Sequence, residues 1–125
     1  MHALMLPSSF LWPAVQLKAK WIKGTTDGEK KITCDQVCQQ EGLVCDASAQ
    51  SALTSQTALD AAFKQAGYTC KGFHGPRNYA GTPFSTGRDG DDCAPLMSGA
   101  QSVCDDNFLA RHAPLCYCRR MFGCE

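Results

Sequence analysis

Two short stretches decide the fold: Thr33–Cys45, TCDQVCQQEGLVC, and Leu115–Arg119, LCYCR. Cys34 and Cys38 are four residues apart, so on an α-helix they share one face and stand about 6 Å apart along the axis. Cys116 and Cys118 are two apart, so on a β-strand they also share a face, about 6.6 Å apart. The two spacings match. A short helix laid on a strand can therefore be joined by two adjacent bridges. Spacing alone permits either pairing, Cys34 with Cys116 and Cys38 with Cys118, or the reverse. Local signals support the helix: Thr33 with Gln36 three residues on is a capping-box pattern, and Gly42 sits where a C-terminal cap belongs. Pro114 marks the start of the strand.

Composition explains why such staples are needed. Leu, Ile, Val and Phe make up about 18% of the 125 residues, low for a self-sufficient core. Formal net charge is zero, so the self-repulsion typical of disordered chains is missing. Nine cysteines supply what the core lacks, and they point to an oxidising compartment, lumenal or extracellular. The balanced charge gives no case for nucleic acid or an acidic membrane surface. No segment approaches the roughly 20 apolar residues that span a bilayer. Met1–Val15 is apolar but interrupted by Pro7, Ser8 and Ser9, and it lacks the basic start of a secretory signal. Residues 1–11 read as a leader or arm and residues 12–125 as a single stapled module. The chain reads as a piece of a longer protein whose upstream part carries the leader or anchor.

Outward from the first cluster, Val15, Leu17, Ala19 and Trp21 alternate with polar residues, the pattern of a half-buried strand. Thr25–Lys31 reads as a turn centred on Asp27-Gly28. The first helix spans Cys34–Glu41, Asp46–Thr54 reads as a loop, and a second helix spans Gln56–Ala66 before Gly67. Tyr68–Cys70 reads as a short strand. Lys71–Asp92 is a long glycine-rich loop closed at its ends by Cys70 and Cys93. Ala94–Ala113 is irregular, with a helical turn at Asp106–Arg111. The fold class is a small disulfide-rich α+β module, with two short helices and a few short strands.

Nothing in the chain reads as a catalytic centre. Zinc sites favour CxxC or CxxxxC pairs, whereas the local spacings here are C-x3-C, C-x6-C, C-x-C and C-x5-C, with scattered histidines. Asp89-Gly90-Asp91-Asp92 contains a DxD but fails the EF-hand pattern, and with Asp105-Asp106-Asn107 it reads as a solvated turn. No metal or cofactor site is assigned. A cysteine activated by His74 or His112 is disfavoured where most cysteines are oxidised. The loop aromatics Phe73, Tyr79 and Phe84 have two readings: stacking on sugar rings, or packing a coreless loop onto the body. Trp12 and Trp21 read as core or strand-edge packing.

The cysteine order, TCDQVCQQEGLVC followed by Cys70, Cys93 and Cys104 and then LCYCR, resembles the cysteine-rich C-terminal region of the N-acetylglucosaminyltransferase V family, glycosyltransferase family 18. Those enzymes are the α-1,6-mannosylglycoprotein 6-β-N-acetylglucosaminyltransferases. Leu11-Trp12-Pro13 with Gln16-Leu17-Lys18 is similar to a Trp-Pro segment preceding the cysteines there, so the likeness covers about Trp12–Cys118. The resemblance implies four nested bridges: Cys34–Cys116, Cys38–Cys118, Cys45–Cys104 and Cys70–Cys93. It implies a parent in the Golgi lumen that transfers GlcNAc from UDP-GlcNAc without a required metal, through a catalytic body upstream. No catalytic or nucleotide-binding residue of that body matches here. The alternative is a free-standing secreted module that binds a glycan or protein through Lys71–Asp92. Cys124 is left over, to stay free, to pair upstream or to link a dimer.

Overall fold

The computed structural model describes residues 18–86 and 92–121. The arm at 1–11, Trp12, the 15–17 part of the expected first strand, Asp89–Asp91 and Cys124 lie outside the described residues. In chain order the elements are β1 (Lys20–Lys23), α1 (Cys34–Gln40), β2 (Val44–Cys45), α2 (Ala47–Ser51), α3 (Gln56–Gln65), β3 (Gly72–Phe73), β4 (Phe84–Ser85), β5 (Asp92–Ala94) and β6 (Ala113–Arg119).

The capping box starts α1 as expected. Gln36 N–H donates to Thr33 Oγ1 at 3.2 Å, and Thr33 N–H donates to Gln36 Oε1 at 2.9 Å. At the other end Gly42 adopts φ 73°, which lets Leu43 N–H reach back to Cys38 O at 2.9 Å and turns the chain inward. Cys34, Val37 and Cys38 then form the buried face of α1.

That face meets β6, the strand shared by both halves of the sheet. β1 runs antiparallel along β6, from Lys20 opposite Cys118 to Lys23 opposite Leu115. The other edge of β6 is shared by two short strands: β4 pairs at Ala113 and Pro114, and β2 at Cys118 and Arg119. β4 continues to β5 antiparallel and β5 to β3 parallel, giving the order β1-β6-β4-β5-β3.

Alternation along β6 builds two cores. Cys116 and Cys118 face α1, with Val37, Leu43 and Ile22 around them. Leu115 faces the other way, into Leu53, Leu59, Ala62, Phe63 and Cys93, with Trp21 at the margin. Trp21 also packs on its cross-strand partner Tyr117, ring centres 4.9 Å apart. The sheet is thus sandwiched between α1 and α3.

All eight described cysteines are bonded: Cys34–Cys116, Cys38–Cys118, Cys45–Cys104 and Cys70–Cys93. The first two form adjacent rungs with Cα–Cα separations of 5.4 and 5.3 Å. Unlike the fully nested set expected, these two interleave in sequence because α1 and β6 run in the same direction, and only the other two nest inside them.

Three details differ from the sequence reading. The described residues hold three helices, because Asp46 caps the short α2 by accepting Ala49 N–H at 3.2 Å, and five residues are too few to show a helical apolar period. Tyr68–Cys70 is not a strand: Tyr68 N–H donates to Phe63 O at 2.9 Å, closing the end of α3, and the strand forms later at Gly72–Phe73. Asp106–Arg111 holds no helix; a single turn, with His112 N–H on Leu109 O, follows Asn107, which is drawn inward.

The gap between β4 and β2 along β6 is filled by a side chain. Tyr117 N–H donates to Gln50 Oε1 at 2.9 Å, Gln50 Nε2 donates to Ser102 Oγ at 2.8 Å, and Ser102 Oγ–H donates to Thr82 O at 2.8 Å. Gln50 is 1% exposed, so its amide stands in for a missing ladder partner. Replacing it leaves Tyr117 N–H without its partner and takes from Ser102 Oγ the donor it accepts from, while the Ser102 hydroxyl keeps Thr82 O. Gln50→Ala and Gln50→Leu are each expected to lower unfolding stability in urea by about 2–3 kcal/mol, while the exposed Gln40→Ala changes it by under about 0.5 kcal/mol.

Candidate functional site

The loop closed by Cys70–Cys93 carries the candidate site. Its first half is laid beside β5 and its continuation: His74 N–H donates to Cys93 O, Arg77 N–H to Pro95 O, and Met97 N–H to Arg77 O, all at 2.8–2.9 Å. The chain then turns at Tyr79–Thr82. Thr82 donates to Tyr79 O through both its N–H, 3.1 Å, and its hydroxyl, 2.7 Å. Gly81 lies at φ 85° against Asn107, where a Cβ would stand 3.0 Å from Asn107 Oδ1 and 3.1 Å from its Cα. Only glycine suits that approach.

Asn107 is 1% exposed and ties three segments together, its Nδ2 donating to Ile32 O at 2.8 Å and His112 O at 3.0 Å. The next residue follows from that anchor. Phe108 N–H donates to Ala80 O at 2.9 Å, which brings the Phe108 ring over Tyr79. Their centres are 4.4 Å apart and the planes differ by 21°. Behind them Phe84 stacks on His112 at 3.8 Å, with planes 8° apart. The Arg77 guanidinium lies 6.0 Å from the Tyr79 ring centre.

The three loop aromatics named from the sequence therefore separate. Phe84 is 2% exposed and packs the loop onto the body. Phe73 is half-buried against the α3 cluster. Tyr79 alone stays open, at 37%, and its neighbour Phe108 is 46% exposed. Phe108 has no pattern in the sequence that marks it; only the inward pull of Asn107 places it. The same anchor corrects the reading of Asp105-Asp106-Asn107 as a solvated turn, since Asn107 is interior.

The polar candidates do not converge. Asp92 sits in β5 with a carboxylate oxygen 4.0 Å from His74 Nε2. Asp35, Cys45 and Cys104 bring ligand atoms within 4.8 Å of one another, but the two sulfurs are bonded together and offer no thiolate. A groove between α1 and β1, bordered by Lys30, Gln36 and Glu41, contains no imidazole. No described helix is long and apolar enough to cross a membrane. Four disulfides are consistent with a secreted or lumenal protein. No protein-family model and no curated protein matches the chain.

His112 is held neutral by its surroundings. Burial, with the Arg111 and His74 charges adding to it, pushes its pKa from 6.5 down to about 4. Its Nδ1 is buried without a hydrogen-bond partner. Between those two pKa values the unfolded chain binds the proton that the folded chain refuses, so stability is lost as the pH is lowered through the window. Urea midpoints are expected to hold above pH 6.5 and drop steadily from there towards pH 4. His112→Phe is expected to flatten that slope; equal slopes in the two proteins would contradict the assignment.

Proposed function

We propose that this chain is a non-catalytic, disulfide-stapled module of a family-18-like N-acetylglucosaminyltransferase in the Golgi lumen. One observation carries the reading: the eight cysteines pair as the resemblance to that family implies, including the choice between direct and reversed rungs that spacing left open. The module's role is to brace the catalytic body or to shape its acceptor side. UDP-GlcNAc binding and transfer to a mannose arm belong to that body, whose residues have no counterpart among these 125.

A second reading, a free-standing secreted module that binds glycan or protein, is favoured by the exposed Tyr79 and Phe108 rings. The reading frame upstream of Met1 separates the two: an in-frame catalytic region fits the first, and a signal peptide with no enzyme fits the second.

The brace is tested with the catalytic body of a family-18 enzyme prepared without its own C-terminal cysteine-rich region. The refolded chain is expected to associate with it and raise its GlcNAc transfer and melting temperature, while showing no transfer from UDP-GlcNAc alone. Failure to associate, or transfer by the isolated chain, would count against the proposal.

A further inference from the structure

We infer that reduction of the Cys45–Cys104 bridge by a dithiol turns this part of the fold into a binding site for a zinc-class divalent cation, held by Cys45, Cys104 and Asp35. The inference is independent of which parent protein or ligand the module serves.

The four bridges differ in access. Cys34, Cys38, Cys93, Cys116 and Cys118 are all 0–1% exposed, so each of the other three bridges has at least one fully buried cysteine. Cys45 and Cys104 are both only half-buried. Thiol–disulfide exchange requires a thiolate to reach a sulfur, and here both sulfurs can be approached. A thiolate of the dithiol attacks one of them, forming a mixed disulfide and releasing the other cysteine. The second thiol of the dithiol then displaces the first cysteine. The reductant leaves as its own disulfide, and two electrons and two protons have passed to Cys45 and Cys104. The product is accommodated: Cys45 Sγ lies 3.2 Å from Gln50 Oε1, an acceptor that a thiol can use and a disulfide cannot.

The released sulfurs do not drift apart, because other contacts hold both ends. Cys45 stays in β2 opposite Cys118, and the next residue, Asp46, donates its N–H to Tyr117 O at 2.9 Å. Cys104 O accepts Asp35 N–H at 2.9 Å, and Ser102 N–H donates to Ser51 Oγ at 2.9 Å. The first of these contacts also ties the third ligand to the second. A carboxylate oxygen of Asp35 and the two sulfurs lie within 4.8 Å of one another. The sulfurs need part only to about 3.8 Å, the edge of a tetrahedron with Zn–S near 2.3 Å. Two thiolates and one carboxylate are a donor set for a soft or borderline cation such as zinc, with water in the fourth position. Binding releases the two thiol protons. The bridge and the cation exclude each other, so the site is open only in the reduced chain.

The test uses the full chain carrying Cys124→Ser, which takes the ninth cysteine out of the readout. It is reduced with dithiothreitol without denaturant, freed of reductant in the absence of oxygen, and divided. One part is alkylated and mapped by mass spectrometry; the other is titrated with Co²⁺ and then Zn²⁺. Label is expected on Cys45 and Cys104 and not on the other six bridged cysteines. One Co²⁺ is expected per chain, with thiolate charge-transfer and tetrahedral visible bands that Zn²⁺ abolishes. Asp35→Ala is expected to weaken Co²⁺ binding about tenfold or more, and the exposed Asp105→Ala, beside Cys104, to leave it unchanged. Amide dispersion in ¹H–¹⁵N spectra matching the oxidised chain shows that the reduced fold is kept. Label at another pair with Cys45 and Cys104 still bonded, loss of the fold on their reduction, no thiolate bands in the reduced chain, or binding indifferent to Asp35→Ala would each overturn the inference.

Discussion

The rung match between α1 and β6 is the constraint the rest of the structure depends on. One helical turn and one strand repeat advance by nearly the same distance, so Cys34 and Cys38 meet Cys116 and Cys118 without distortion of either element. The two bridges span 82 and 80 residues of chain. Each removes a large share of the freedom of the unfolded chain, although the second adds less because the loops overlap. Together they fix the direction of α1 along the strand and the face of β6 that it covers. The other face is then left for α3.

A protein with so few aliphatic residues completes its sheet with side-chain amides. Gln50 occupies the stretch of β6 edge between β4 and β2, where neither strand reaches. Asn107 does similar work for the irregular segment before β6, joining Ile32 O and His112 O through one nitrogen. Both are interior, and both satisfy backbone groups that would otherwise be buried without partners. The aromatic pair at the surface is a consequence of the second amide, since the residue after Asn107 has to leave the interior and lands on Tyr79.

Much of the scaffold was legible in the chain because its signals are local. The capping box at Thr33–Gln36, the Gly42 and Gly67 helix ends and the apolar spacing of α3 each lie within one or two turns. The loop between Cys70 and Cys93 was legible as a pinned loop. α2 was not, because a five-residue helix shows no period and its buried residue is a glutamine. Phe84 and Tyr79 looked alike in sequence, two aromatics among glycines, yet one is interior and the other open. His112 gave no sign of being buried, since its neighbours Arg111 and Ala113 fit a surface turn equally well.

The sequence by itself determined that the chain is a stapled α+β module, because cysteine spacing and helix capping act through short-range geometry that any fold must obey. Only the tertiary structure decided which amides became sheet partners and which aromatic faces stayed in solvent. Those outcomes depend on where distant segments meet: Ala80 against Phe108, Ile32 against Asn107, Gln50 against Tyr117. No periodicity or local propensity encodes such meetings, which exist only once the staples have brought the segments together.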